Sequence, residues 1–297
     1  MRDIERRKPL SDQIWFGAFV VVPFLALIVG LVPAWGYGVD LVSLPLGLAF
    51  FFVRMFGITT FFHRGTAHQS FVVTRPWVTY AAGIAGSMAV QGSLFLWVGQ
   101  HILHHQHPDE EGDPHSPYKY GLGFWNIFKG MIWAHIGWLF ANSFEHEHLI
   151  RRLRTDPLLA RIDRWFVPCV VAGLVLPPIF GILLRHSFSW MGVDFLWGGL
   201  ISLFFSYHFT WSVNSICHMW GERPFKTKDH STNNRIVAYL TCGEGNHNGH
   251  HAFPRSAKHG LLGEPDLTWR LIQLLEKHKL VTDVYVPTPE QIAAKLQ

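Results

Sequence analysis

The chain has 297 residues, 49% apolar and only 15% charged, with 13 Trp and a formal net charge of +4. This is the composition of a membrane protein rather than of an average soluble domain, and no nucleic-acid partner is expected. Cys169, Cys217 and Cys242 show no paired spacing, which argues against a disulfide or iron–sulfur framework and for a reducing cytoplasm.

In chain order, the first apolar run, roughly Ile14 to Trp35, is long enough to cross a bilayer. It lacks a signal-peptide cleavage pattern, and Arg2, Arg6, Arg7 and Lys8 before it favour a cytoplasmic N-terminus. A second span is expected over roughly Leu41 to Thr60. Its Arg54 sits near the returning end, where a long side chain can snorkel to the interface. Directly after it comes HRGTAH, with His63 and His68. Residues five apart lie about 140° apart on an α-helix, so these two imidazoles are expected to reach two different metal ions.

The stretch Trp77 to Val98 is apolar enough to suggest another crossing. Only 32 residues separate His68 from His101, however, too few for two crossings of about 20 residues each. Histidine boxes that share one site must lie on one side of the membrane, so an interfacial or re-entrant helix is expected here. HILHH follows, with His101, His104 and His105 at i, i+3 and i+4, a spacing that puts three imidazoles on one helical face. Of the acids behind it, the run Asp109, Glu110 and Glu111 is expected to be a solvated loop. One or two of the group that includes Asp113 and Glu244 are candidates to hydrogen-bond a ligating imidazole. Phe124 to Ala141, with Trp125, Trp133 and Trp138, suits an amphipathic interfacial element.

Two further spans are expected, Trp165 to Leu184 with Pro177 and Pro178 inside it, and Phe195 to Ile216. Basic residues crowd the N-terminus, 151–164 and 223–235 rather than the short connections 32–40 and 185–194. That asymmetry places both termini and all three boxes in the cytoplasm. The fold expected is an all-α integral membrane protein, one integrated domain of four spans with a helical cytoplasmic cap over 61–164 and 217–280. The tail after Leu280 is read as peripheral and dispensable.

Asn214 and His218 share a helix face at the end of the last span, and HNGHH supplies His247, His250 and His251. The boxes hold eight imidazoles, too many for one ion. A structural zinc site usually includes thiolates, which the boxes lack. The reading is a two-metal, nitrogen-rich site, with His218 as a ninth ligand; imidazole suits iron, copper, nickel and zinc alike. His107, His115, His135, His146, His148, His186, His208, His230, His259 and His278 lack the repeated spacing and are read as ordinary core or surface residues. His107 and His115 are nevertheless close enough to the second box to sit around it.

HRGTAH, HILHH, HNGHH and NSICH after the last span resemble the membrane-bound fatty acyl desaturases of the Δ9, stearoyl-type branch. The similarity runs from roughly Leu41 to Leu262 and includes GDPHSP, AHIGW and GEGNHNGHHAFPRSAKHG. It implies two non-haem iron ions in the cap, held by His63, His68, His101, His104, His105, His218, His247, His250 and His251, with Asn214 acting through a bound water. It further implies an acyl chain in a bent tunnel below, dioxygen as co-substrate, and a cis double bond expected at Δ9.

An acyl-CoA substrate is expected, although the acyl-CoA enzymes carry an Arg-Asp pair where this chain has Gly99 and Gln100. WVGQH and the segment after the third box look more like bacterial and plastid-type relatives, some of which act on glycerolipid-bound chains. No His-Pro-Gly-Gly haem signature and no GxGxxG fingerprint is present. A separate electron donor is therefore expected, a ferredoxin, a rubredoxin or a small b-type cytochrome with its reductase. A membrane di-iron hydroxylase or ketolase is the near rival, and a metal transporter the remote one, since the histidines sit at or beyond span ends rather than at mid-depth.

Overall fold

A computed structural model describes residues 5–6, 9–37, 40–141, 143–144 and 147–297. Arg2, Arg7 and Lys8 of the basic N-terminus, and His146, lie outside the described residues. Helices dominate. In order they are α1 (Leu10–Tyr37), α2 (Ser43–Phe56) running on as a π-helix (Gly57–Ala67), α3 (Pro76–Ser87), α4 (Leu94–Gln106), α5 (Phe124–His135), α6 (Glu147–Arg154), α7 (Pro157–Arg164) and α8 (Phe166–Arg185). Then come α9 (Met191–Asp194), a π-helical stretch (Phe195–Ile201), α10 (Ser202–Ser215), α11 (Arg235–Leu240), α12 (His247–Ala252), α13 (Leu267–Lys277) and α14 (Pro289–Lys295). Four two-residue strands complete the described structure: β1 (Glu5–Arg6) pairs with β3 (Ser143–Phe144), and β2 (Val72–Val73) with β4 (Val281–Thr282), both antiparallel.

Among the described residues, three helices are long and apolar enough to cross a membrane: Leu10–Val32, Ser43–Ala67 and Phe166–Arg185. They overlap the first, second and third spans expected from sequence. The expected fourth, 195–216, is helical throughout, but Ser202, Ser206, His208, Thr210 and Ser212 dilute its apolar character. Trp77 to Val98 is no single helix. It divides into α3 and the start of α4, the first of them only 12 residues long, short of the ~20 a crossing needs. On α5, Phe124 and Trp125 are exposed while Gly130 is buried, the two-faced pattern of an interfacial helix.

Two sequence expectations fail. Arg54 does not snorkel. Its helix continues past Thr60 to Ala67, which leaves the guanidinium about three turns from the end and 0% exposed. There it donates to Met88 O (3.0 Å), Gly198 O (3.0 Å), Gly173 O (2.6 Å) and Ser202 Oγ, tying α2 to α8 and to the α10 run. Nor is the tail peripheral. Val281 packs at 1% exposure with Phe71, Ala257 and Ile272, Tyr285 N donates to Ser70 O at 2.8 Å, and Gln297 N donates to Pro224 O at 3.0 Å.

At the opposite end of the spans, Arg185 binds Asp194 (2.7 Å), Ser43 Oγ (2.9 Å) and Asp40 and so fastens the helix ends together. The main apolar cluster, with Ile58, Phe61, Phe62, Leu94, Phe95, Val98, Ile150 and Ile162, locks the π-helical segment against α4, α6 and α7. Where that segment crosses α3, a Cβ on Gly57 would stand 2.1 Å from Gly86 N, so only glycine permits the approach. This packing delivers the first histidine box to the other two.

Candidate metal centre

Nine histidines from four segments converge into two groups whose ligand atoms lie within 4.8 Å of one another. The first group is His63, His68, His101, His105 and His250; the second is His104, His218, His247 and His251. All nine come from the sequence-derived set.

The division between the groups differs from what spacing suggested. His63 and His68 were expected to face different ions, yet their rings are 4.8 Å apart in one group. The reason is the π-helix: its i→i−5 bonds, including His68 N to His63 O at 3.1 Å, bring residues five apart almost into line. Each HxxHH box, in turn, does not present its three rings to one ion. On α4 the i, i+4 pair His101 and His105 joins the first group and His104 the second; on α12 the pair His247 and His251 joins the second and His250 the first. Both boxes straddle the two groups and hold them side by side.

The facing nitrogens are close. Nε2–Nε2 separations are 2.7 Å for His68–His101, 3.1 Å for His63–His250, 2.9 Å for His105–His250, 3.0 Å for His218–His247 and 3.3 Å for His104–His251. Buried carboxylates take the opposite ring nitrogens: His104 Nδ1 donates to Asp113 (2.9 Å), His218 Nδ1 to Asp109 (2.8 Å), His251 Nδ1 to Asp229 (2.9 Å) and His63 Nδ1 to Glu244. A carboxylate on Nδ1 fixes the tautomer with its lone pair on Nε2. His104 and His251 therefore point two lone pairs at each other. Such a pair repels unless a cation lies between, so the second group's donors fit a metal ion; the first group offers five close imidazoles, of which His63 is backed by a carboxylate in the same way.

The electrostatics agree. Burial, reinforced by neighbouring imidazoles, holds His68, His101, His105, His247 and His250 well below the usual histidine range. Burial likewise lowers His251 to about 4 despite its aspartate. For His218 burial acts downward too, but the carboxylates of Asp109, Asp113 and Asp229 together outweigh it and raise the pKa. At neutral pH most of the cluster is uncharged and available as ligand.

Several functional residues were missed or misread. Asp109 was expected in a solvated run; Glu110 and Glu111 are indeed exposed, but Asp109 turns inward to His218 and to His230 N (2.9 Å). Asp229, which sequence singled out in no way, serves His251. Arg64, inside the first box, is fully buried and bridges Glu244 and Asp266. His115, lowered by burial to about 3, packs on His104 with ring centroids 4.5 Å apart. His259, read as ordinary, lies against His250 at 4.4 Å. Short distance from the boxes gave a signal for Asp113, Glu244 and His115, the last already placed around the second box.

Asn214 joins neither group. It lines two adjoining cavities, each of which also has Trp97, His101 and Thr210 in its wall. The outer cavity adds Phe16, Phe19, Val20, Gln91, Gln100 and Trp138; the inner adds Met55 and Ile58, 1% and 2% exposed, so it is closed at that end. Gln91 bonds both Thr210 Oγ1 (3.0 Å) and Trp97 Nε1 (3.3 Å) where the two meet. The two cavities thus lie side by side against the histidine groups, the inner one bordered by His63, His104 and His247.

A family model described as fatty acid desaturase matches residues 40–285. The chain is 39% identical over 239 residues to an sn-1 stearoyl-lipid 9-desaturase of Anabaena variabilis, covering 79% of this chain and 80% of that protein. It is 38% identical to an acyl-CoA C20 Delta5-desaturase of Anemone leveillei, covering 79% and 70%. It is 35% identical to Delta-9 acyl-lipid desaturase 1 of Arabidopsis thaliana, covering 97% and 88%.

Proposed function

We propose, from the premise that this chain belongs to the fatty acid desaturase family and is a fatty acyl desaturase, an oxygen-dependent oxidoreductase, that its two histidine groups each hold one iron ion. His63, His68, His101, His105 and His250 would bind one, and His104, His218, His247 and His251 the other, with Asn214 contributing through water. The observation that carries this is the set of facing Nε2 lone pairs backed by carboxylates. When bound, the irons supply the redox chemistry that an unactivated C–H bond requires and that no side chain offers.

The residues themselves position and isolate. The saturated chain enters along Phe16, Phe19 and Trp138, bends at the Gln91–Thr210–Trp97 contact and ends against Met55 and Ile58. Closed apolar walls keep bulk water from the reacting methylenes. Overall, one dioxygen takes two hydrogens from adjacent methylenes, together with two electrons and two protons, and leaves as two waters. The product would carry a cis double bond, by this reading at Δ9. Electrons come from a separate ferredoxin, rubredoxin or small cytochrome.

We further read the run from Met191 to Ser215 as the fourth span. The whole chain is then one domain, with the termini and the centre on the cytoplasmic side. Acyl-CoA is the first substrate to test. A glycerolipid-bound chain is favoured by one observation: the outer cavity is walled by α1, a membrane helix, and none of its lining residues is Lys, Arg, Asp or Glu. CoA phosphates would require cations there.

The test is lipid profiling with double-bond localisation in a desaturase-deficient host expressing the wild type or His104→Ala with a compatible donor. A new monounsaturated chain absent from the variant is expected. Hydroxylated or ketonic products would overturn desaturation in favour of oxygenation.

A further inference from the structure

His259 is 0% exposed, and neither of its ring nitrogens has a hydrogen-bond partner. Buried imidazoles ordinarily have one. Its backbone N–H donates to Asp266 Oδ2 at 2.7 Å, which pins the loop independently of the side chain. The ring lies tilted against that of His250, with centroids 4.4 Å apart and planes at 34°, and stands 5.3 Å from that of His63. Its Nδ1 lies 3.5 Å from Glu244 Oε2, the oxygen that also accepts from His63 Nδ1. The other oxygen, Oε1, is taken by Arg64 Nε (3.2 Å) and Nη2 (2.9 Å).

We propose that His259 is a positioning residue for the first metal group, its Nδ1–H closing the 3.5 Å gap to Glu244 Oε2 when metal is bound and so holding that carboxylate on His63 Nδ1. The inference rests on the metal reading of the histidine groups. A leucine or phenylalanine would fill the same space against His250 without burying two polar nitrogens. What the imidazole adds is a ring nitrogen 3.5 Å from Glu244 Oε2. Arg64 fixes one oxygen of that carboxylate, and a second donor on the other stops it rotating away from His63. His63 then keeps the tautomer that presents Nε2 to the metal. Glu244 would thus be held from both sides, while the tilted ring packs against His250.

The test uses the purified full-length protein, stripped of metal and reloaded with iron or with cobalt(II), as wild type, His259→Phe and His259→Gln. Phenylalanine keeps the ring contact with His250 and removes the donor; glutamine restores an N–H. The expected result is two ions per wild-type chain and a first-group ion held about 10–100-fold more weakly in His259→Phe. The cobalt absorption bands change, the melting temperature of the metal-free protein does not, and His259→Gln recovers most of the affinity. Equal metal retention and identical cobalt spectra in wild type and His259→Phe would overturn the proposal, as would equal losses in both variants. Should His259→Phe fail to fold, His259→Asn against His259→Gln makes the comparison by donor reach. A wild type that binds no metal overturns the metal reading itself, and this proposal with it.

Discussion

Replacing Asp229 by Asn isolates the contribution of one carboxylate to the second metal group. Asp229 Oδ2 accepts from His251 Nδ1 at 2.9 Å, while Oδ1 takes Ser231 N at 2.8 Å and Thr227 Oγ1 at 3.1 Å. Asparagine keeps the Oδ1 contacts, so the 227–231 loop should stay in place. It presents an N–H₂ to His251 Nδ1, however, and the imidazole must answer with a lone pair there, moving its proton to Nε2. The nitrogen that faces His104 Nε2 at 3.3 Å is then no longer a ligand. Loss of such an outer partner weakens metal binding about 10–100-fold, or ~1.4 to ~2.8 kcal/mol. Because the tautomer inverts, the upper end is expected. The assay is competition against a chelator of known affinity, read as metals per chain, together with product formation in a desaturase-deficient host. Wild-type affinity and turnover in Asp229→Asn would refute the argument that carboxylates set the ligating tautomers.

Acidity should act on the metal-free protein through its buried imidazoles. A histidine lowered to about 4 in the fold, as His251 is, binds its proton more readily when unfolded. Its contribution to stability is therefore complete above the unfolded value near 6.5 and is lost as pH falls from there through 4. Melting temperatures of the stripped protein should drop between pH 7 and pH 5, and a flat profile would count against a neutral, buried cluster. Arg54→Leu should cost at least ~3 kcal/mol, because three carbonyls and Ser202 Oγ lose their buried donor. Detergent-solubilised variant that melts like wild type would disprove that role. Met55→Ala, at the closed end of the inner cavity, should move the product profile toward longer chains, each extra buried methylene adding ~0.8 kcal/mol. Gas chromatography of the products reads this directly, and an unchanged chain-length distribution would place the chain end elsewhere.

Sequence by itself determined the membrane character, the three apolar spans and all nine converging histidines. These are properties of local composition and short-range spacing, written in consecutive residues. It also argued against a crossing between His68 and His101, because 32 residues are too few for the two crossings that boxes on one side of the membrane would need. The assignment of rings to groups was not legible. That depended on the π-helical turn over Gly57–Ala67, which replaces the α-helical angle between His63 and His68, and on how α4 and α12 approach each other. Nor could spacing show that Arg54 is buried or that Asp109 turns inward, since both depend on which distant segment arrives to bond them. Asp229 and His259 are the clearest cases. Each is an ordinary loop residue in sequence and gains its meaning only when tertiary packing sets it against His251 or Glu244. Which histidines converge is encoded locally, but tautomer and orientation are imposed by buried partners that the fold brings from elsewhere in the chain.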